Sequence, residues 1–250
     1  MCGRYVIKTT PDQMAAVFGY AERPNFPSRY NVAPTQPVPV VRVDNGRRSF
    51  ALLRWGLIPP WVKDPRGFSL LINARAESVL DKPAFKNAMK RRRCLIPADG
   101  FYEWKQDGGR KRPYFAAAQE LVAFAGLWEA WMGPNGEEME TACIITTTAN
   151  RALRMLHDRM PVVIPRQAFD IWLDCANVDA ETATALLVSA PEDTFAPHEV
   201  STAVNRTAND SAELIEPLPP GAAEAEEARP VARAKPKPKP KKDDGQASLF

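Results

Sequence analysis

Between residues 49 and 148 the chain is a succession of apolar, strand-like segments with little room between several of them for anything but turns. "SFALLRWGLIP" (49–59), "CLIPADGFYEWK" (94–105), "RPYFAAA" (112–118), "LVAFAGLWEAW" (121–131) and "TACIITTT" (141–148) are rich in β-branched and aromatic residues, and the breaks "QDGGRK" and "GPNGEE" carry turn formers. Strands joined by such short glycine-containing turns pair antiparallel. Helical signals flank the block. "PAFKNAMKRRR" has Pro83 set for a first helical position, "NRALRMLH" has Asn150 as an N-cap, and "RQAFDIWLD" and "DAETATALLV" have helical spacing. This pattern predicts an α+β fold, a single domain over residues 2–216 with a barrel-like, mostly antiparallel β core and peripheral helices.

The sequence changes character around residue 217, passing through "EPLPPGAAEAEEARPVARAKPKPKPKK" into "DDGQASLF". Proline, lysine, glutamate and alanine offer little to bury, so 217–250 is predicted to be a disordered tail. Residues 221–250 hold seven Lys/Arg against five Asp/Glu, which leaves 26 against 25 for residues 1–220. A nearly neutral body excludes a protein that works by bulk positive charge. The basic residues are instead clustered, above all in "KNAMKRRR" (86–93), which reads either as a solvated helix end or as a local phosphate-binding face. No stretch is long and apolar enough for a membrane span, and the start lacks a signal-peptide layout. A cytoplasmic protein without membrane contact is expected, as a monomer.

Four cysteines, Cys2, Cys94, Cys143 and Cys175, stand far apart with no C-x-x-C pair, and there are two histidines, His157 and His198. Neither a disulfide framework nor a metal site is readable, and no cofactor is called for. Cys94, Cys143 and Cys175 lie in apolar surroundings and read as core residues. Cys2 differs. Removal of the initiator methionine would give it a thiol and a free α-amine on neighbouring carbons, which no internal cysteine can offer.

Three further segments set one polar group beside an apolar run: Asn73 in "LLINARAESV", Glu103 in "PADGFYEWK" and His157 in "MLHDRMPVVI". Taken singly, Glu103 can face water, Asn73 can cap a turn and His157 can sit satisfied in the core. With Cys2 they form a set suited to carbonyl chemistry. An α-amine, with an ordinary pKa of about 7.7–8, is partly neutral at physiological pH and can attack an aldehyde to give an imine. The thiol of the same residue then closes a five-membered thiazolidine in an intramolecular step. Glu103 would supply acid catalysis, His157 would protonate a sugar ring oxygen, and Asn73 would orient the amine.

"MCGRY", "RYNVAPTQ", "RWGLIPPW", "INARAES", "CLIPADGFYEW", "FAGLWE", "ITTTAN" and "HDRMPVVI" follow one another as in the SRAP family, the SOS-response-associated peptidases, understood as shields of abasic DNA. The chain resembles that family over residues 2–205. The resemblance implies a protein of DNA damage and repair that binds abasic sites in single-stranded DNA and at junctions with duplex. It implies lyase-like, thiazolidine-forming crosslinking through the mature N-terminal cysteine, a nucleoid-associated location, and the roles of nucleophile, amide, glutamate and histidine for Cys2, Asn73, Glu103 and His157. It further implies phosphate contacts by Arg4 and Arg75, a wedge at Pro59, Pro60 and Trp61, and base stacking or pocket lining by Trp104. The last residues, Gln246, Leu249 and Phe250 of "QASLF", resemble the peptide with which bacterial replication proteins dock into the sliding clamp. Two alternatives remain open at this stage: a cysteine peptidase or amidohydrolase using Cys2 with His157 as base, and a single-stranded DNA binder with no covalent step.

Overall fold

The computed structural model describes residues 2–219. In chain order its strands are β1 (Tyr5–Ile7), β2 (Arg29–Val32), β3 (Pro37–Asp44), β4 (Arg47–Trp55), β5 (Asn73–Arg75), β6 (Arg93–Asp107), β7 (Arg110–Met132), β8 (Glu138–Thr148), β9 (Arg159–Pro161) and β10 (Phe195–Glu199). The helices are α1 (Pro11–Phe18), α2 (Pro83–Arg91), α3 (Arg151–Arg154), α4 (Phe169–Leu173) and α5 (Ala180–Thr184), with short 3-10 turns between them. One compact unit ends at Leu218. The predicted tail, with Gln246, Leu249 and Phe250, lies outside the described residues.

β6 and β7 are the two long strands, and each serves two layers. Gly108 and Gly109, at φ 54° and 85°, join them in the tight left-handed turn whose twist suits a hairpin. The first part of β6 pairs with the second part of β7, from Arg93↔Leu127 to Ala98↔Val122. β7 continues to β8, β8 lies parallel to β4, β4 is antiparallel to β3, and Val41 of β3 returns to Leu95 of β6. That circuit closes a barrel. The remaining parts of β6 and β7 leave it and form an outer layer with β10, β1 and β2. The expected α+β architecture with a barrel-like, mainly antiparallel core is therefore the one observed.

The departure from the barrel occurs at a bulge between Ala98 and Gly100 on β6. Gly100 sits at φ +151°, and a Cβ there would lie 2.5 Å from the Ala116 carbonyl oxygen, so only glycine fits. Asp99, within the bulge, turns its carboxylate onto the backbone N–H groups of Lys8 (2.6 Å) and Thr9 (2.9 Å). These charge-assisted bonds anchor the end of β1 to β6. The main core fills the barrel around Trp55, Leu95, Phe124 and Ile144, and a second cluster under the outer layer joins Val6, Tyr102, Phe115, Val200 and Val204.

Three details differ from the sequence reading. Segments 112–118 and 121–131 are one strand, β7, bent where it exchanges partners. Cys175 is half-buried, whereas Cys94 and Cys143 are in the core. The basic run 86–93 is divided: Lys86, Lys90 and Arg91 face solvent, but Arg93 is buried and donates to the carbonyls of Met89, Trp172, Asp174 and Val178. Among the described residues no helix is long and apolar enough to cross a membrane.

Candidate functional site

β1 delivers Cys2 to the site. Tyr5 pairs with Phe101, and the Tyr102 N–H donates to the Arg4 carbonyl at 2.9 Å, so the residues before Tyr5 run alongside the outer part of β6. Phe101 and Glu103 lie on the same face of that strand by the two-residue period, and both are buried. β5 lies parallel to β8, with Asn73 opposite Ile144, and Trp55 fixes its approach by donating Nε1–H to the Ile72 carbonyl at 3.0 Å. From there the Asn73 side-chain Nδ2 donates to the Cys2 carbonyl at 2.8 Å. Asn73 Oδ1 is buried with no hydrogen-bond partner among the described residues. His157 follows α3, where Asn150 caps the helix by accepting from the Leu153 N–H at 3.1 Å.

Charge couples these groups. Burial pushes the Glu103 carboxyl up, opposed by the positive chain terminus and by His157. Burial also pushes the Cys2 thiol up, and the negative charge of Glu103 adds to it. The thiol donates weakly to the Arg4 carbonyl at 3.9 Å. His157 Nδ1 has two neighbours, the Arg159 N–H at 2.9 Å and Asp158 Oδ1 at 2.7 Å. A lone pair on Nδ1 suits the first and a proton suits the second, so the Arg159 N–H favours the Nε2–H tautomer of the neutral ring while Asp158 favours a proton on Nδ1.

The four residues singled out for chemistry thus converge, whereas the residues proposed for DNA contact divide. Arg4 is half-buried and occupied, donating to Asn31 Oδ1 (2.6 Å) and the Val204 carbonyl (2.9 Å) with its guanidinium 5.7 Å from the centre of the Trp104 ring. Trp104 in turn donates Nε1–H to Asn205 Oδ1 at 2.8 Å, so both are tied to the segment after β10. Arg75 faces solvent at the end of β5. Pro59 is buried and Pro60 exposed, while Trp61 is 58% exposed, edge-on to Phe68, and lines a groove of about 920 Å³ with Lys63, Arg66, Trp131 and Met132.

Sequence reasoning missed the residues that brace the site. Asn31 is fully buried and its amide donates to the carbonyls of Val204, Arg206 and Asn209. Asp210 accepts from the Tyr30 and Asn31 N–H groups and from Arg29. Contacts spanning more than 170 residues leave no local sequence signature. Glu77 and Arg159 form a bidentate pair beside His157. Among the described residues no group of three or more His, Cys, Asp or Glu could hold a metal ion.

A β barrel with a cysteine, an amide, a carboxyl and an imidazole gathered at one site defines a cysteine-centred α+β domain. Comparison with known proteins identifies its family. The SOS response associated peptidase (SRAP) family model matches residues 1–207. The chain is 39% identical over 222 residues to the abasic site processing protein YoqW of Bacillus subtilis, covering 86% of this chain and 99% of the relative. It is 31% identical over 264 residues to the abasic site processing protein HMCES of Gallus gallus, covering 87% and 78%. A crystal structure of a Bacteroides thetaiotaomicron protein shares the fold at a TM-score of 0.78 and 23% identity, covering 87% of this chain and all of the other. A phage-related protein of Bordetella bronchiseptica does so at 0.64 and 32% identity, covering 80% and 94%. The chain belongs to the SRAP family.

Proposed function

We propose that this protein processes abasic sites in DNA, recognising them in single strands and at junctions with duplex, and that it does so by forming a thiazolidine crosslink through Cys2 once Met1 is removed. The observation that carries the reading is that Asn73 holds the Cys2 carbonyl at 2.8 Å while Glu103 acts by charge on Cys2 and His157 acts by charge on Glu103. The names of the relatives, abasic site processing proteins, support the substrate.

The chemistry needs no oxidant and no metal. His157 in its protonated form donates from Nε2 to the deoxyribose ring oxygen while the Glu103 carboxylate takes the anomeric hydroxyl proton, which opens the hemiacetal to its aldehyde; the proton released when the iminium becomes the imine recharges the His157 ring. The Cys2 amine adds to the carbonyl carbon, and Glu103, whose buried carboxyl holds its proton more tightly than an exposed one, protonates the departing hydroxyl so that water leaves and an imine remains. The Cys2 thiol then adds across the C=N bond. A carbon–sulfur bond forms, the thiol proton passes to nitrogen, and the net change is loss of one water. Burial pushes the Cys2 thiol up, so ring closure and acyl transfer alike need a group that takes the thiol proton, and in ring closure that group is the imine nitrogen.

Arg75 and Arg4 are assigned to phosphates, Trp61 with Pro59 and Pro60 to the bases beside the lesion, and Trp104 to the wall of the site. The sliding clamp is the proposed partner of Gln246, Leu249 and Phe250. The test is denaturing electrophoresis after incubation with an oligonucleotide carrying one abasic site. A heat-stable shifted band is expected, lost when an uncleavable extension precedes Cys2. A complex that dissociates on denaturation would leave only non-covalent binding, and release of peptide fragments from a protein substrate would favour the peptidase.

A further inference from the structure

The segments carrying Asn73 and His157 both attach to β8 but not to each other. β5 pairs with Ile144–Thr146 of β8, and β9 pairs with Thr146–Thr148. Among the described residues a side-chain pair crosses between them: Arg159 reaches Glu77 with both terminal nitrogens, at 2.6 and 2.9 Å. The same guanidinium donates to the Thr146 carbonyl of β8 at 2.6 Å. Arg159 is therefore held at three acceptors, and its side chain is only 12% exposed. Its backbone N–H is the group that donates to His157 Nδ1.

We propose that Glu77 is a positioning residue, whose grip on Arg159 locks the segment of Asn73 to that of His157 and fixes the proton of the neutral His157 ring on Nε2. Fixing Arg159 at both carboxylate oxygens and at β8 fixes its backbone, and with it the direction from which Nδ1 receives a hydrogen bond. A neutral ring whose Nδ1 accepts from the Arg159 N–H carries its proton on Nε2. Bidentate guanidinium–carboxylate geometry suits this task because it resists rotation as well as separation. Hydrogen bonding from Arg159 also holds the Glu77 carboxyl below its usual range, which keeps the pair ionised. The other charged groups around the ring are Glu103, facing it from β6, and Asp158, beside Nδ1. Arg154 of α3 is directed elsewhere, to the Ala149 carbonyl.

The placement of the proton stands independently of the reaction, while its catalytic consequence rests on the function proposed above. The experiment separates the two. Long-range proton–nitrogen correlation spectra of the 15N-labelled full-length protein, recorded at alkaline pH where an imidazole is neutral, should show His157 as a single Nε2–H tautomer. Glu77→Ala should give a mixture of tautomers and Glu77→Gln, which keeps one acceptor oxygen, an intermediate. His198, whose Nε2 lies 2.8 Å from the Ile215 carbonyl, is the unaffected control. Crosslinking to an abasic oligonucleotide should slow roughly tenfold to a hundredfold in Glu77→Ala, the scale set by small misplacements of a catalytic group, with binding to intact single strands unchanged. A wild-type tautomer pattern in Glu77→Ala overturns the proposal, as does a wild-type crosslinking rate. If the unmodified protein forms no crosslink, the proposed function fails while the spectra still decide the role of Glu77.

Discussion

Asn73 grips Cys2 by its backbone, not by its thiol: the side-chain amide donates to the Cys2 carbonyl at 2.8 Å, across 71 positions of sequence. This leaves the thiol free of Asn73 and puts the amide where it can steer the whole N-terminal residue. Asn73→Ala should therefore slow crosslinking while leaving affinity for intact single strands unchanged. It should also cost about 1–3 kcal/mol of stability, since it strips a carbonyl of its donor in a buried setting. Single-turnover rates, binding isotherms and thermal melts check the three parts. A variant that loses binding and rate together would assign Asn73 to substrate contact instead.

Glu103 predicts an opposition between stability and activity. Burial raises its carboxyl in the folded protein, so the native state binds this proton more tightly than the unfolded chain does. The native state is then favoured at pH below the unfolded carboxyl value, and that advantage is lost as pH rises through the raised folded value. Above the raised folded value the ionised Glu103 is a burden on the fold. Glu103→Gln should melt a few degrees higher than wild type at pH 7–8, with the difference narrowing toward pH 4, while crosslinking falls by about 10²–10⁴-fold, the usual range for a lost proton-transfer group. Equal melting temperatures across the range would show that Glu103 is not destabilising.

The β6–β7 hairpin could be read from sequence because alternation and the glycine turn act locally, whereas the full length of β7 could not. Pro83 at the start of α2 and Asn150 at the cap of α3 were legible for the same reason. β3 was not, since Pro37 and Pro39 deprive it of two N–H donors and make "PVPVVRVD" resemble a loop. Arg93 misled because a basic run looks like surface, yet four carbonyls at the end of α2 and around α4 needed a donor. The chemical residues could be singled out because each is polar beside an apolar run. Their supports act far along the chain, Asn31 and Asp210 through backbone groups and Glu77 and Arg159 through each other, which composition does not record.

The C-terminal peptide makes a prediction independent of the barrel. Leu249 and Phe250 are the apolar residues that follow a Pro/Lys-rich stretch, and with Gln246 they offer the two anchors and one amide with which an extended peptide fills a cleft. A peptide of residues 241–250 should bind the bacterial sliding clamp in a direct titration, and replacing Leu249 and Phe250 by Ala should abolish binding without altering abasic-site crosslinking. Binding that survives the double replacement would reduce the peptide to a charged tether.

Arg4 and Arg75 are both assigned to phosphates, but their surroundings differ enough to give opposite signatures. Arg75 faces solvent at the end of β5, so Arg75→Ala should leave the melting temperature unchanged, weaken binding evenly across sequences, and lower the salt slope by about one counterion. Arg4 is built into the fold through Asn31 Oδ1, the Val204 carbonyl and the face of Trp104, and burial lowers its hold on its proton. Its removal strips Asn31 Oδ1 of its Arg4 donor, leaves the Val204 carbonyl with Asn31 Nδ2, and loosens the segment after β10, including Asn205, which holds Trp104. Arg4→Ala should therefore lower stability by about 1–3 kcal/mol and speed hydrogen exchange over residues 202–209. Asn31→Ala, which keeps Arg4 but frees the same segment, should reproduce those two effects. If it also reproduces the loss of DNA binding expected of Arg4→Ala, Arg4 acts by holding that segment; if DNA binding survives, the guanidinium itself meets the phosphate.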